Sequence, residues 1–301
     1  MMVQEPGPIS EHLIFLGDNR ICMYLLMGER HLLLGGGMSH AVPEIEEQLD
    51  RFDIDRSRIM GLVILHSHFD HCGAVPYFEK AYPQWEIMGS KGAEKIFGME
   101  KAVKSIARLD KATRERYGVD GRFQDISLNF HAPALTRTLK EGDRIDLGSG
   151  VEVSILETPG HSKCSITAYS PGLNLLFPSD AAPLPVLENG GFVVMANDSL
   201  PTYLQSLARM ADLTVDGICY EHCGAILGPA AQTALEESLK LTKEKIDFYR
   251  QALASGVDKR ELAHSEVKKI LDNSRFGLIT EEILMQVCLS MLESVDGSYC
   301  P

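Results

Sequence analysis

The segment HSHFDH at residues 66–71 is the feature that most constrains this chain, because it places three histidines and one aspartate within six positions. It directly follows GLVIL, an apolar run that is typical of a buried strand. Side chains alternate along a strand end, so His66 and His68 point to one side, while Asp70 and His71 can turn toward a neighbouring position. Such polar groups are costly to leave unpaired in a cleft, and bound metal offsets that cost. The segment therefore predicts ligands for two adjacent metal ions.

Three further candidate ligands follow later apolar runs. His161 lies in TPGHS, Asp180 in LLFPSD and His222 in ICYEHCG, each at or just past the end of a predicted strand. Strand ends that share one layered sheet system bring such side chains together, so we expect these three to join the HSHFDH segment. The remaining histidines are interpreted as surface or satisfied core residues: His12, His31, His40, His131 and His264.

The order of predicted elements favours an α/β layered fold. Residues 12–35 are interpreted as two strands of a hairpin, residues 43–52 as a helix and residues 61–68 as a buried strand. Residues 91–117 have a helical pattern with eight Lys or Arg, interpreted as a solvated face rather than a phosphate-binding surface. From Pro229 the pattern is entirely helical. We expect a domain at residues 1–228 and a three-helix cap at residues 229–301.

Composition narrows the function classes. The chain has 301 residues, 45% of them hydrophobic, and a formal net charge of −13, which opposes binding to nucleic acid or to an anionic membrane surface. It has no apolar run near the ~20 residues that span a bilayer and no signal-peptide pattern at its start. Seven cysteines without framework spacing are typical of free thiols in a reducing cytoplasm. We expect a cytoplasmic protein with a small-molecule substrate and leave a homodimer open.

The pattern HxHxDH followed by a later His, Asp and His resembles the metallo-β-lactamase fold superfamily over roughly residues 10–228. The resemblance implies a four-layer αββα sandwich, with the C-terminal helices as a cap. It also implies that His66, His68 and His161 hold one metal, that Asp70, His71 and His222 hold the second, and that Asp180 bridges them. Two positions depart from the family: Ser179 and Glu221 stand where Gly is common before a ligand.

The predicted donor set suits two divalent metal ions, zinc or iron, with manganese as a further possibility. Such a pair holds a bridging hydroxide that attacks a carbonyl or phosphorus centre. Asp70 is in addition a candidate catalytic proton acceptor. Because the nitrogen and oxygen set is complete, the neighbouring Cys72, Cys164 and Cys223 are interpreted as small buried residues.

The leaving group distinguishes the possible substrates. A thiolate departs largely unaided, whereas an amine or a poor alkoxide benefits from a proton donor. The sequence shows no such donor beside the ligands, and AAPLPV after Asp180 lacks the Tyr that family lactonases typically carry. The segment HCGAVPYFEKAYPQWEI, the helical stretch after it and the three-helix tail resemble the quinolone-signal response thioesterases of pseudomonads, a likeness that spans nearly the whole chain and is moderate outside the motifs. We expect a thioesterase-like hydrolase of an acyl-CoA or glutathione thioester. A phosphodiesterase, or a signal- or partner-binding protein with residual hydrolysis, is the alternative. Met285 and Met291 of the last helix are interpreted as core rather than as an acyl pocket.

Overall fold

Two β-sheets form the centre of the protein. The computed structural model describes residues 1–118, 128–186, 191–273 and 280–296. Within these residues, each sheet has seven strands. Sheet I contains, in spatial order, β2 (Gly7–Ser10), β3 (Leu13–Gly17), β4 (Cys22–Met27), β5 (His31–Leu34), β6 (Ile59–Ile64), β7 (Glu86–Ser90) and β8 (Arg137–Leu139). Sheet II contains β1 (Met2–Val3), β14 (Ala225–Leu227), β13 (Gly217–Cys219), β12 (Leu175–Phe177), β11 (Ile166–Ser170), β10 (Val151–Glu157) and β9 (Arg144–Gly148).

Helices cover the outer face of each sheet. Sheet I packs against α1 (Val42–Arg51), α2 (Val75–Ala81), α3 (Lys91–Phe97) and α4 (Glu100–Tyr117). Sheet II packs against α5 (Leu200–Ala211), α6 (Pro229–Ala254), α7 (Lys259–Asn273) and α8 (Glu281–Val295). These layers are the αββα sandwich, so the predicted fold class is confirmed.

Alternation along β3 shows how the sequence builds these layers. Leu13 and Phe15 point into the core between the two sheets, whereas Ile14 and Leu16 point toward the helices over sheet I. Every residue of this strand is buried, because both of its faces are covered. The continuous apolar run therefore indicates a central strand of a layered fold rather than a half-exposed hairpin.

Two local predictions differ from the structure. Residues 12–35 form three strands rather than two, because a turn at residues 28–30 separates β4 from β5. The helical stretch 91–117 consists of two helices, α3 and α4. Gly98 is the C-cap residue of α3, and Met99, in an extended conformation, precedes α4. The basic residues of α4 include exposed partners of neighbouring acids, Lys104 with Glu100 and Lys111 with Glu115, as a solvated helix face requires.

The C-terminal helices share one buried core with α5 and with the outer face of sheet II. Met291 and Leu292 of α8 and Tyr249 of α6 lie in one buried cluster with Leu200 and Tyr203 of α5. Met291 is 1% exposed and belongs to this core. The domain boundary between residues 228 and 229 stays a prediction.

Across the described ranges, no helix combines the length and apolar character needed to cross a membrane. Six cysteines are free and buried, and Cys300 lies outside the described residues.

Candidate metal centre

All seven predicted ligands converge at one end of the sandwich, where loops from both sheets meet. The loop after β6 of sheet I supplies four of them, and loops after β10, β12 and β13 of sheet II supply one each. A 3-10 turn at Phe69–His71 and another at Ser179–Ala181 orient the aspartates. We call these residues the seven-residue cluster: His66, His68, Asp70, His71, His161, Asp180 and His222.

The first set of the cluster consists of His66, His68 and His161. His68 Nδ1 lies 3.1 Å from His66 Nε2 and 2.9 Å from His161 Nε2. Three ring nitrogens from two different sheets thus face a common point, and they form one of the groups with the spacing of a metal site. His66 and His161 are buried, and His68 is half-buried.

The second set consists of Asp70, His71 and His222. The two histidine Nε2 atoms are 3.0 Å apart, and Asp70 Oδ2 lies 3.5 Å from each of them. These three residues also have the spacing of a metal site. The Asp70 side chain is 18% exposed, whereas those of His71 and His222 are almost fully buried, so this set opens to solvent on the Asp70 side.

Asp180 lies between the two sets. Its Oδ2 atom is 3.3 Å from His161 Nε2 of the first set and 3.3 Å from His71 Nε2 of the second. Its other oxygen, Oδ1, is buried and has no hydrogen-bond partner among the described residues. One carboxylate thus faces both nitrogen sets, which is the position that a bridging ligand requires.

Contacts behind the ligands fix which ring nitrogen faces the cluster. His161 Nδ1 donates to the Met195 carbonyl and His222 Nδ1 donates to the Arg20 carbonyl. A carbonyl oxygen only accepts hydrogen bonds, so the proton of each ring is on Nδ1 and the Nε2 lone pair points inward. His66 Nδ1 lies 3.1 Å from Ser179 Oγ, which leaves His66 Nε2 toward the cluster in the same way.

The electrostatics of the two sets differ. Burial lowers the pKa of His66 and His161, and it lowers the pKa of His68 to about 3, so the first set is neutral at pH 7. Burial also acts to lower the pKa of His71 and His222. The neighbouring carboxylates outweigh it and raise the pKa of both rings.

The two aspartates of the cluster remain ionised. Burial acts to raise the pKa of Asp70 and Asp180, but the surrounding histidines outweigh it and hold the pKa of both carboxyls well below the usual range. The second set therefore combines anionic and protonated groups around one point, whereas the first set offers neutral imidazoles.

The residues fit a pair of divalent cations. Nitrogen lone pairs that face one another at about 3 Å repel unless a proton or a cation lies between them. The buried Asp180 Oδ1 atom likewise has no hydrogen-bond partner within the described part of the chain and lies 3.8 Å from His222 Nε2, which leaves room for a closer cation. Imidazole and carboxylate donors suit zinc, iron and manganese. The nearby thiols do not compete, because burial raises the pKa of Cys72 well above its usual value and that of Cys223 to about 12.

Sequence reasoning missed the groups that hold the ligands in place. The Met195 and Arg20 carbonyls belong to the backbone, so no residue type signals them. Ser179 and Glu221 carried a signal, since both depart from the family pattern, but their role depends on a contact between positions 42 residues apart.

Comparisons with known proteins identify the family of this chain. The family model of the Metallo-beta-lactamase superfamily matches residues 20–222. The probable metallo-hydrolase YqjP of Bacillus subtilis (strain 168) is 26% identical over 225 residues, which cover 70% of this chain and 67% of that protein. The acyl-coenzyme A thioesterase MBLAC2 of Gallus gallus is 26% identical over 160 residues, 52% of each chain, so the match spans about half the length of that relative.

A solved structure shows the same fold. The crystal structure of the metallo-beta-lactamase family protein TTHA1429 from Thermus thermophilus aligns with a TM-score of 0.64 and 19% identity, over 99% of this chain and 93% of that one. At this identity the likeness concerns the fold alone. The residues matched by the family model include the whole seven-residue cluster. The chain therefore belongs to the metallo-beta-lactamase superfamily of metallo-hydrolases.

Proposed function

We propose that this protein is a hydrolase that holds two divalent cations, zinc or iron with manganese as a further candidate, and cleaves a thioester of the acyl-CoA or glutathione class. The observation that carries the proposal is the convergence of two nitrogen-rich sets on either side of Asp180, which faces both at 3.3 Å. In the proposal the first set holds one cation, the second set holds the other, and the Asp180 carboxylate bridges them.

The chain's own residues prepare the centre before any cation binds. The Met195 and Arg20 carbonyls fix the rings of His161 and His222, so the inward nitrogens do not have to reorient on binding. Two bound cations would supply an activated water as nucleophile and would neutralise the charge that develops on the substrate's carbonyl oxygen. Burial of the histidines keeps bulk water from the inner side of the centre.

The half-exposed side of the cluster is where we place the substrate. His68, Phe69 and Asp70 are partly exposed, while His66 and His71 are buried. A carbonyl group that approaches from this side meets the ionised Asp70 carboxylate first. In the proposal Asp70 would also accept a proton from the attacking water, in addition to helping to hold the second cation.

A thioester suits this centre because its leaving group needs little help. Beyond one another, the cluster side chains contact Ser179, Glu221 and backbone carbonyls in the described part of the chain, and the Ser179 hydroxyl is already used by Glu221, so these neighbours offer no proton to a departing group. A thiolate, with a conjugate-acid pKa of about 8.5, departs without such a donor. The sequence match to the chicken acyl-CoA thioesterase supports the same substrate class.

The test is a substrate panel with the metal-loaded protein. An acyl-CoA and S-lactoylglutathione are assayed by thiol release with a chromogenic disulfide, beside bis(p-nitrophenyl) phosphate as the rival substrate. We expect turnover of at least one thioester, lost in His68→Ala and kept in the matched surface variant His264→Ala. Turnover of the phosphate diester alone would replace the thioesterase proposal with a phosphodiesterase.

The same variants address the alternative of a signal- or partner-binding role. If hydrolysis is the biological activity, His68→Ala removes both hydrolysis and the cellular phenotype, while His264→Ala changes neither. A phenotype that survives in His68→Ala, with hydrolysis abolished, would assign the function to binding instead.

A further inference from the structure

Two departures from the family pattern contact each other directly behind the cluster. Ser179 Oγ donates a hydrogen bond to Glu221 Oε2. Both residues are buried, Ser179 to 2% exposure and Glu221 to 3%. Each immediately precedes a cluster member in the chain, Asp180 or His222.

This pair also contacts one ring of each set. His66 Nδ1 of the first set lies 3.1 Å from Ser179 Oγ, and His71 Nδ1 of the second set lies 3.0 Å from Glu221 Oε2. The His71 contact is electrostatic rather than a straight hydrogen bond, since its angle does not meet hydrogen-bond geometry. A carboxylate only accepts, and the serine hydroxyl donates to it, so His66 is the donor to Ser179. Both ring protons are thereby drawn to Nδ1, away from the cluster.

The backbone conformation at Ser179 is strained for a residue that has a side chain. Ser179 has a φ of +51°, in the left-handed region that favours glycine. A glycine there would relieve the conformational strain but would remove the hydroxyl that joins His66 to Glu221. The strained serine is therefore informative, because strain is retained where the surroundings give the side chain a role.

Glu221 adds a third buried carboxylate next to a cluster that already contains Asp70 and Asp180. Its second oxygen, Oε1, has no hydrogen-bond partner among the described residues. Space for it depends on Gly35, where an added Cβ atom would lie 2.5 Å from this oxygen. A buried carboxylate requires positive charge nearby, and the positive groups that it faces are histidine rings and the cation positions beyond them.

The geometry points to Glu221 as a positioning residue that strengthens cation binding by the second set. Through Ser179 and His66, Glu221 also connects the second set to the first set. A carboxylate behind a histidine ring orients the ring and makes its inward nitrogen a better donor. The inference rests on the two-cation centre proposed above, but not on the thioester substrate.

The test measures metal binding rather than hydrolysis. Glu221→Gln keeps the size of the side chain and removes its charge, and Glu266→Gln is the matched control, a buried glutamate that contacts Lys245 and Lys269 in the C-terminal helices. Zn²⁺ titration against a chromophoric chelator gives the affinities. Anomalous scattering from crystals with limiting Zn²⁺ shows which position each affinity belongs to. We expect Glu221→Gln to weaken the second-set cation by about 10–100-fold and to affect the first set less.

A second variant separates this role from general stability. Ser179→Gly suits the left-handed backbone at this position and is expected to fold, but to weaken the second-set cation by breaking the link to Glu221. If the pair acts as a unit, the double variant loses little more than Glu221→Gln alone. If Glu221→Gln does not fold, the Zn²⁺ affinities of Ser179→Gly alone test the proposal.

The outcomes distinguish the two proposals. Wild-type protein that binds no Zn²⁺ would remove the metal centre altogether. Wild-type protein that binds two equivalents, with unchanged affinities in Glu221→Gln or, where that variant does not fold, in Ser179→Gly, would overturn only the role of Glu221. Equal weakening in Glu266→Gln would also overturn it, because the effect would then follow from losing any buried charge.

Discussion

Proton release on metal binding should differ between the two sets. In the second set, His222 Nδ1 is occupied by its bond to the Arg20 carbonyl, and the Glu221 carboxylate draws the proton of His71 to Nδ1. The two Nε2 atoms, 3.0 Å apart, then face each other with room for one shared proton. Burial opposes that proton, but the Asp70 and Asp180 carboxylates outweigh burial and raise the pKa of both rings above the usual 6.5.

The sign of the pH dependence follows from this shared proton. Below the raised pKa the proton occupies the cation position, so each unit of falling pH weakens second-set binding about tenfold, or about 1.4 kcal/mol. As pH rises through that pKa the competition ends and the affinity levels off. The same proton stabilises the metal-free fold at low pH, and this stability is lost as pH rises through the folded-state pKa. The first set, with pKa values lowered by burial, binds with little pH dependence near pH 7.

The measurement is a pair of experiments. Calorimetry in buffers of different ionisation enthalpy counts the protons released, with about one expected for the second set and about none for the first. A water ionised by the cations adds to that count, so ¹⁵N NMR of labelled histidine in the metal-free protein is decisive. We expect one proton on the Nε2 atoms of His71 and His222 at pH 7. If neither Nε2 atom carried a proton at pH 7, that result would refute the reasoning.

Further variants test the centre and the fold. His68→Ala should lower hydrolysis by about 10²-fold or more and remove the first-set cation, as measured by turnover and by metal analysis of the purified protein. Gly35→Ala would place a methyl group 2.5 Å from Glu221 Oε1 at a φ of +95°, and should destabilise the protein by about 1–3 kcal/mol in denaturant titration. Leu292→Ala removes a fully buried side chain of α8 and should cost about 2–5 kcal/mol in a single unfolding transition. Two separate transitions would instead indicate that residues 229–301 unfold independently.

The sequence contained enough information for the position of the cluster. His66 to His71 follow a buried strand, and strand ends at His161, Asp180 and His222 meet at one end of the sandwich because layered sheets align their strand ends. The helix α5 was missed although its signals are present, a Ser199 N-cap and a proline in the first turn.

Other features had no local signal. β1 has only two residues, and Met2 pairs with Ile226, a residue more than 200 positions later in the chain. Only the tertiary structure therefore creates that strand. The Met195 and Arg20 carbonyls are properties of the backbone path rather than of residue type. Ser179 and Glu221 could be noted as unusual but not as a pair, since their contact depends on how two loops of sheet II approach each other.

The contrast between the sets leads to one more consequence, the order in which the cations bind. A cation at the second set gains the attraction of Asp70 and of Glu221 behind His71, but it must displace the shared proton. A cation at the first set meets neutral imidazoles and displaces none. Limiting Zn²⁺ should therefore fill the first set at a pH below the raised pKa of His71 and His222 and the second set at a pH above it, a reversal that anomalous scattering at the two pH values would detect. If the two sets filled in the same order at both pH values, the shared proton would not control cation binding at the second set. Asp70 and Glu221 would then not determine the affinity of the second-set cation.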